Sequence, residues 1–297
     1  MRLSSVPSPL LLAAFAPLVW GTSYFVLERL APMGPVTVAS VRALGAGLLL
    51  LLVVRQLPRG AWWWKSALLG FFNFGLFFSM LFVSAEKLTG GVAATLGALG
   101  PLFIIAFNVL RLRLRPDRHT LRAALLGLLG VAFLVLGPAV RMDLWGIVAG
   151  LLSVVAASSG YVLSKELGTP PDASVLAVTA WQLTWGGLML VPLALLAEGA
   201  PPVPQGTQWG LLAYLIVVGT ALAYALWFRG IQNTGPLQVS LLTRLSPATA
   251  IVIDLWQGHL LGGLQWLGLG LIALSFIPKF GRRIPRITWA SRATRGR

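Results

Sequence analysis

Ten times between Pro9 and Phe280 the sequence runs apolar for roughly the length a helix needs to cross a bilayer, about 20 residues. Breaking these runs at charged residues, prolines and glycines gives spans at 9–28, 35–54, 62–85, 90–111, 120–138, 144–165, 174–196, 208–230, 236–257 and 261–280. The connections are too short to hold a soluble domain. In hydrocarbon the backbone must satisfy its own polar groups within a segment, so spans of this kind are helices. Composition agrees. Charged residues make up 10% of the chain and hydrophobic ones 57%, with a mean hydropathy of +0.83. A water-facing surface needs roughly 25% charged residues. The expected fold class is an all-α integral membrane protein.

The net charge of +15 raises the question of an anionic partner. Its distribution answers it. With ten spans both termini lie on one side, and that side collects Arg55, Arg59 and Lys65, the run Arg111 to Arg122, and the tail from Lys279 to Arg297. The other side holds Arg29, Lys87 and Arg141. Positive charge marks the cytoplasmic face, so both termini are expected inside. The basic tail then rests on anionic lipid headgroups, and no nucleic-acid partner is expected. The first run reads as a spanning helix rather than a cleaved signal.

The two halves echo one another. "SAEKLTGGVAATL" (84–96) matches "RGIQNTGPLQVSL" (229–241), with Thr89-Gly90 over Thr234-Gly235. "GALGPLFIIAFN" (97–108) matches "TRLSPATAIVID" (243–254), with Pro101 over Pro247. "VRALGAGLLLL" (41–51) matches "WQLTWGGLMLV" (181–191), with Gly47 over Gly187, and Tyr24 parallels Tyr161. Five spans per half is an odd number, so the second half enters from the opposite face. That predicts an inverted repeat, a plan common among secondary transporters. The expected division is 1–140 and 141–281, followed by a basic cytoplasmic tail, 282–297.

With "PLVWGTSYF" in span 1, "LGALGPLF" in span 4 and "TRLSPATA" in span 9, the chain resembles the EamA-type transporters of the drug/metabolite transporter superfamily. Within it, the sequence is similar to the YddG-type exporters of aromatic and other hydrophobic amino acids. Many relatives carry a Gly-Glu pair after spans 4 and 9, where this chain has "RLRLRPDRHT" and "QGHLLGG". The resemblance implies a basket of helices, with spans 1, 3, 4, 6, 8 and 9 around a central cavity and spans 5 and 10 at the periphery. It implies an inner-membrane exporter of small hydrophobic solutes, aromatic and other amino acids foremost, working by alternating access. Export of drugs or other amphipathic metabolites is the nearest alternative. A membrane-embedded enzyme or receptor is a further one, which the repeat disfavours.

Enzyme chemistry finds no purchase. There is no cysteine, and His119 and His259 fall in expected loops, so neither a thiolate, a zinc site nor an activated nucleophile is expected. No cofactor or metal is implied. Asp254 is the one acid inside a span, close to its outer end, so facilitated export fits at least as well as proton coupling. The candidate site is a wall of rings and hydroxyls at helical spacing: Trp20, Ser23 and Tyr24; Asn73, Phe77, Met80 and Ser84; Ser158 and Tyr161; Thr220, Tyr224 and Trp227. Helix packing would produce the same spacing, and Asn73 reads equally well as a bond between helices. Trp62, Trp63 and Trp64 read as an interfacial belt. Pro101 and Pro247 are candidate hinges, or fixed bends. Arg42 reads as a structural group with Asp254 as its candidate partner. Arg244 reads either as a contact for a solute carboxylate or as a scaffold residue held by backbone carbonyls or Glu166. The solute, membrane lipid and a homodimer complete the partners the sequence leaves open.

Overall fold

The computed structural model describes residues 8–88, 96–112, 118–135, 143–256, 258 and 262–276, without the side chains of Tyr24, Ala85, Glu86, Arg111, Leu112, Leu134, Val135, Ile251 and Asp254. Among the described residues there is no strand. In chain order the helical segments are α1 (Pro9–Arg29, interrupted at Ala14 and Thr22), α2 (Pro35–Val54) and α3 (Trp62–Gly70, Phe71–Leu76 and Phe77–Lys87). Then follow α4 (Gly100–Leu112), α5 (Arg118–Val135), α6 (Leu144–Leu167) and α7 (Val175–Glu198). Last come α8 (Gln208–Thr234), α9 (Pro236–Ser240, Leu241–Arg244 and Leu245–Trp256) and α10 (Gly263–Phe276). Six of them, α1, α2, α3, α6, α7 and α8, are long and apolar enough to cross a membrane. Their bounds fall within about a turn of the expected spans. Shorter apolar helices cover Gly100–Leu110 and Gly263–Phe276.

The ends follow local chemistry. Asp143 accepts the Gly146 amide at 2.8 Å and starts α6, and Ser174 accepts that of Ala177 at 3.1 Å and starts α7, both being N-cap bonds. Pro35 opens α2, where its missing N–H costs nothing. The amides behind it, Val36 and Thr37, are each accepted at 2.8 Å by the two oxygens of Glu198, at the far end of α7. Gly235, at φ 115°, separates α8 from α9 in a conformation that side chains resist.

Lipid offers apolar helices little hydrophobic drive to associate, so close packing through small residues holds them. The α2–α7 pair shows how close. A Cβ at Gly47 would stand 2.5 Å from the backbone nitrogen of Thr184, and one at Gly187 2.4 Å from that of Leu44. Gly47 is to Leu44 as Gly187 is to Thr184, so each helix presents the same notch to the other. The remaining pairings are equally reciprocal. α3 packs on α6 as α8 packs on α1; α3 meets α7 as α8 meets α2; α4 meets α6 as α9 meets α1. α5 and α10 pair with each other at Gly130, where a Cβ would lie 2.8 Å from Ile272.

Among the described residues, two helices carry a wide turn. Phe71–Leu76 of α3 and Val217–Leu222 of α8 wind as π-helix, and these are the corresponding places in the two halves. Each π turn adds a residue to one face, so neighbours that a regular helix would splay apart both point inward. Asn73 and Phe74 are both buried, as are Gly219, Thr220 and Ala221. The expected proline bends coincide with irregular winding. Pro101 stands in the first turn of α4, just after a turn at Ala98 and Leu99, and Pro247 follows the 3-10 segment Leu241–Arg244.

Candidate functional site

Aromatic rings from α1, α3, α6 and α8 meet at the middle of the molecule. Trp20 lies 4.8 Å from Tyr224 and 5.1 Å from Trp227, centroid to centroid. Tyr161 lies 5.6 Å from Trp227 and 6.3 Å from Phe228. Phe74 meets Tyr224 edge-on at 4.8 Å and connects onward to Phe78 and Phe228 at 6.3 Å each. Tilted and edge-on pairs at these distances are the favourable ones, worth about 0.5–1.5 kcal/mol each beyond their burial. Trp227 and Phe74 are fully buried, and Tyr224 and Tyr161 are 4% and 9% exposed. Trp20 is half-buried at the edge of the group.

Of the site residues expected from sequence, the structure brings Trp20, Tyr161 and Tyr224 into this cluster. Phe77 joins its margin, 4.9 Å from Phe78. Thr220 is buried just outside it and accepts the Nε hydrogen of Arg42 at 2.8 Å. Ser158 reaches α4, donating to the Gly100 carbonyl at 3.3 Å. Ser23 Oγ is buried without a hydrogen-bond partner among the described residues. The Tyr24 side chain lies outside the described residues. Trp227, expected on the same face of span 8, is also in the cluster, and Phe74 and Phe228 belong to it though the expected site did not include them.

Both π turns are gripped by a polar side chain from the opposite half. On α8, Arg42 donates through Nη2 to the Gly219 carbonyl at 2.8 Å, and the Trp20 indole donates to the same oxygen at 3.1 Å. On α3, the Asn73 amide donates to Gln182 Oε1 at 2.8 Å and to Ser164 Oγ at 3.2 Å. Asn73 thus bonds neighbouring helices. Laying Gly47 on Gly187 lays Arg42 on Gln182, so the two grips are equivalent, one charged and one neutral. Arg42 finds its partners in a hydroxyl and a carbonyl of α8. Asp254, the partner considered for it, lies outside the described side chains.

Arg244 turns away from the rings toward α5 and α10. It donates through Nη1 to the Ala123 carbonyl at 2.6 Å, and its guanidinium lies 4.4 Å above the Phe276 ring. Gly127 makes room for it, since a Cβ there would come within 2.6 Å of Nη1. A small cavity beside it is bounded by Ala98, Pro101, Gly127 and Thr243.

Among the described residues no group of acids, histidines or cysteines could hold a metal ion, and Arg59 pairs with Asp172 at 3.6 Å on the surface. The rings pack closely against one another, and the Arg42 guanidinium is held beside them by Thr220 and Gly219. Fold and site together define a polytopic helical membrane protein built around a ring-lined centre. The EamA-like transporter family model matches residues 7–136 and again 144–277. The chain belongs to that family of membrane transporters. It is similar to Protein PecM of Dickeya dadantii, with 38% identity over 280 residues, 91% of this chain and 93% of that one. It is also similar to the uncharacterized inner membrane transporter YedA of Escherichia coli K12, with 25% identity over 277 residues, 91% and 90% of the two chains. A solved crystal structure aligns at a TM-score of 0.74 with 18% identity, over 90% of this chain and 94% of that one. It speaks for the fold alone.

Proposed function

We propose that the protein is an inner-membrane exporter of small hydrophobic solutes, foremost aromatic and other hydrophobic amino acids, and that it works by alternating access. In this reading ten spans form two inverted halves, 1–140 and 141–281, with both termini and the tail 282–297 in the cytoplasm. The observation that carries it is the ring cluster. Trp20 and Phe74 come from the first half, and Tyr161, Tyr224 and Trp227 from the second. Rocking one half against the other would part these rings and open the site to one face at a time. Pro101 and Pro247, each beside irregular winding, are the proposed pivots. Arg244, bonded to Ala123 and stacked on Phe276, is assigned to the scaffold.

With purified protein in liposomes, radiolabelled L-phenylalanine should equilibrate across the membrane without any imposed proton gradient. That follows from the absence of a carboxylate among the described ring-cluster residues. A protein that moves amphipathic dyes but no amino acid would make drug export the correct reading instead.

A further inference from the structure

We infer that Arg42 is the group that recognises the solute's carboxylate, so that the site selects hydrophobic carboxylates over hydrophobic amines. The inference deepens the reading of the ring cluster as the solute site and rests on it. Arg42 is 7% exposed, and among the described residues no acid pairs with it. Burying a guanidinium with no acid beside it is costly. Holding the π turn does not by itself explain the charge. Gln182 occupies the equivalent place in the other half and holds the α3 π turn through Asn73 with a neutral amide. The same joint is therefore made once without a charge.

The position of the guanidinium supplies the reason. Nε is fixed by Thr220 Oγ1 and Nη2 by the Gly219 carbonyl, leaving Nη1 without a described protein acceptor. That carbonyl also receives the Trp20 indole hydrogen, and Trp20 packs on Tyr224. A planar donor, already immobilised by two bonds, thus stands at the margin of the rings. Little entropy is lost when it meets a carboxylate. Three of the five described acids are placed elsewhere. Glu198 is engaged at the start of α2, Asp143 caps α6, and Asp172 is exposed. The ammonium of an amino acid is left to the ring faces, by cation–π contact.

The test is competition against L-phenylalanine uptake in liposomes containing the full-length protein. The probes are 3-phenylpropanoate, its neutral amide 3-phenylpropanamide, and 2-phenylethylamine. In the wild type the carboxylate should compete about ten- to a hundred-fold better than the amide or the amine, the range of a charge-assisted hydrogen bond. Arg42→Gln should abolish that preference, and Arg42→Lys should keep part of it. If phenylalanine is carried and the amine competes as well as the carboxylate, the inference is overturned while the transport reading stands. That arm needs no variant to fold. If phenylalanine is not carried but 3-phenylpropanoate is, the amino-acid reading fails and Arg42 keeps its role. If neither is carried, both fail.

Discussion

Arg42 and Gln182 show how much of this protein turns on single polar groups in an apolar interior. The Asn73–Gln182 bond joins α3 to α7 in the buried interior, and replacing Gln182 leaves the Asn73 amide with Ser164 Oγ alone. Interhelical hydrogen bonds in membranes are worth about 0.6–2 kcal/mol. Gln182→Leu should therefore lower thermal stability in detergent by an amount of that order. The double variant Asn73→Leu with Gln182→Leu should be milder than the two single losses added, because no buried amide is then left alone. Additive melting shifts would mean the pair is not coupled. Part of the site was legible at this scale. Trp20, Tyr161 and Tyr224 stand at helical spacing on spans with inward polar residues, and the structure puts them together. Phe74 was not legible. A period of 3.6 sets it apart from Asn73, and only the π turn puts both inside. Gln182 was legible in principle, since the repeat that pairs Gly47 with Gly187 also pairs it with Arg42.

At the level of helices, the long spans were readable because lipid-facing segments are apolar almost throughout, and caps such as Asp143 and Ser174 stand where the runs begin. The wide turns were not, since local composition carries no mark of winding. What fixes the π turns lies on other helices, in Arg42 and Gln182. The α2–α7 contact depends on the absence of side chains at Gly47 and Gly187. Added methyls there would meet backbone at 2.5 and 2.4 Å, so the helices themselves must part. Gly187→Ala should cost about 1–3 kcal/mol by overpacking, and Gly47→Ala a similar amount. The measurement is thermal unfolding in detergent. Gly210→Ala is the control, since a Cβ there meets nothing within 4 Å, and it should be neutral. Equal tolerance at all three positions would show that α2 and α7 do not pack as described.

Over the whole molecule, the proposal is of two inverted halves around a shared ring cluster. The repeat was visible in sequence only as sparse matches, such as Thr89-Gly90 with Thr234-Gly235, because lipid accepts almost any apolar residue at most positions. The proposed arrangement puts both termini on one side, and the basic charge makes that side the cytoplasmic one. A reporter active only in the periplasm, fused after Arg297, should be silent, and an active one would break the ten-span topology. The most direct trial of the ring cluster itself is L-phenylalanine flux through liposomes containing the wild type or Trp20→Leu. Trp20 is half-buried at the cluster's edge, so its loss spares most of the packing. Flux per folded protein should fall on the order of ten-fold for the lost ring contacts, with a lower melting temperature for the lost indole bond to Gly219. Undiminished flux in the variant, or no phenylalanine flux in the wild type, would contradict the account.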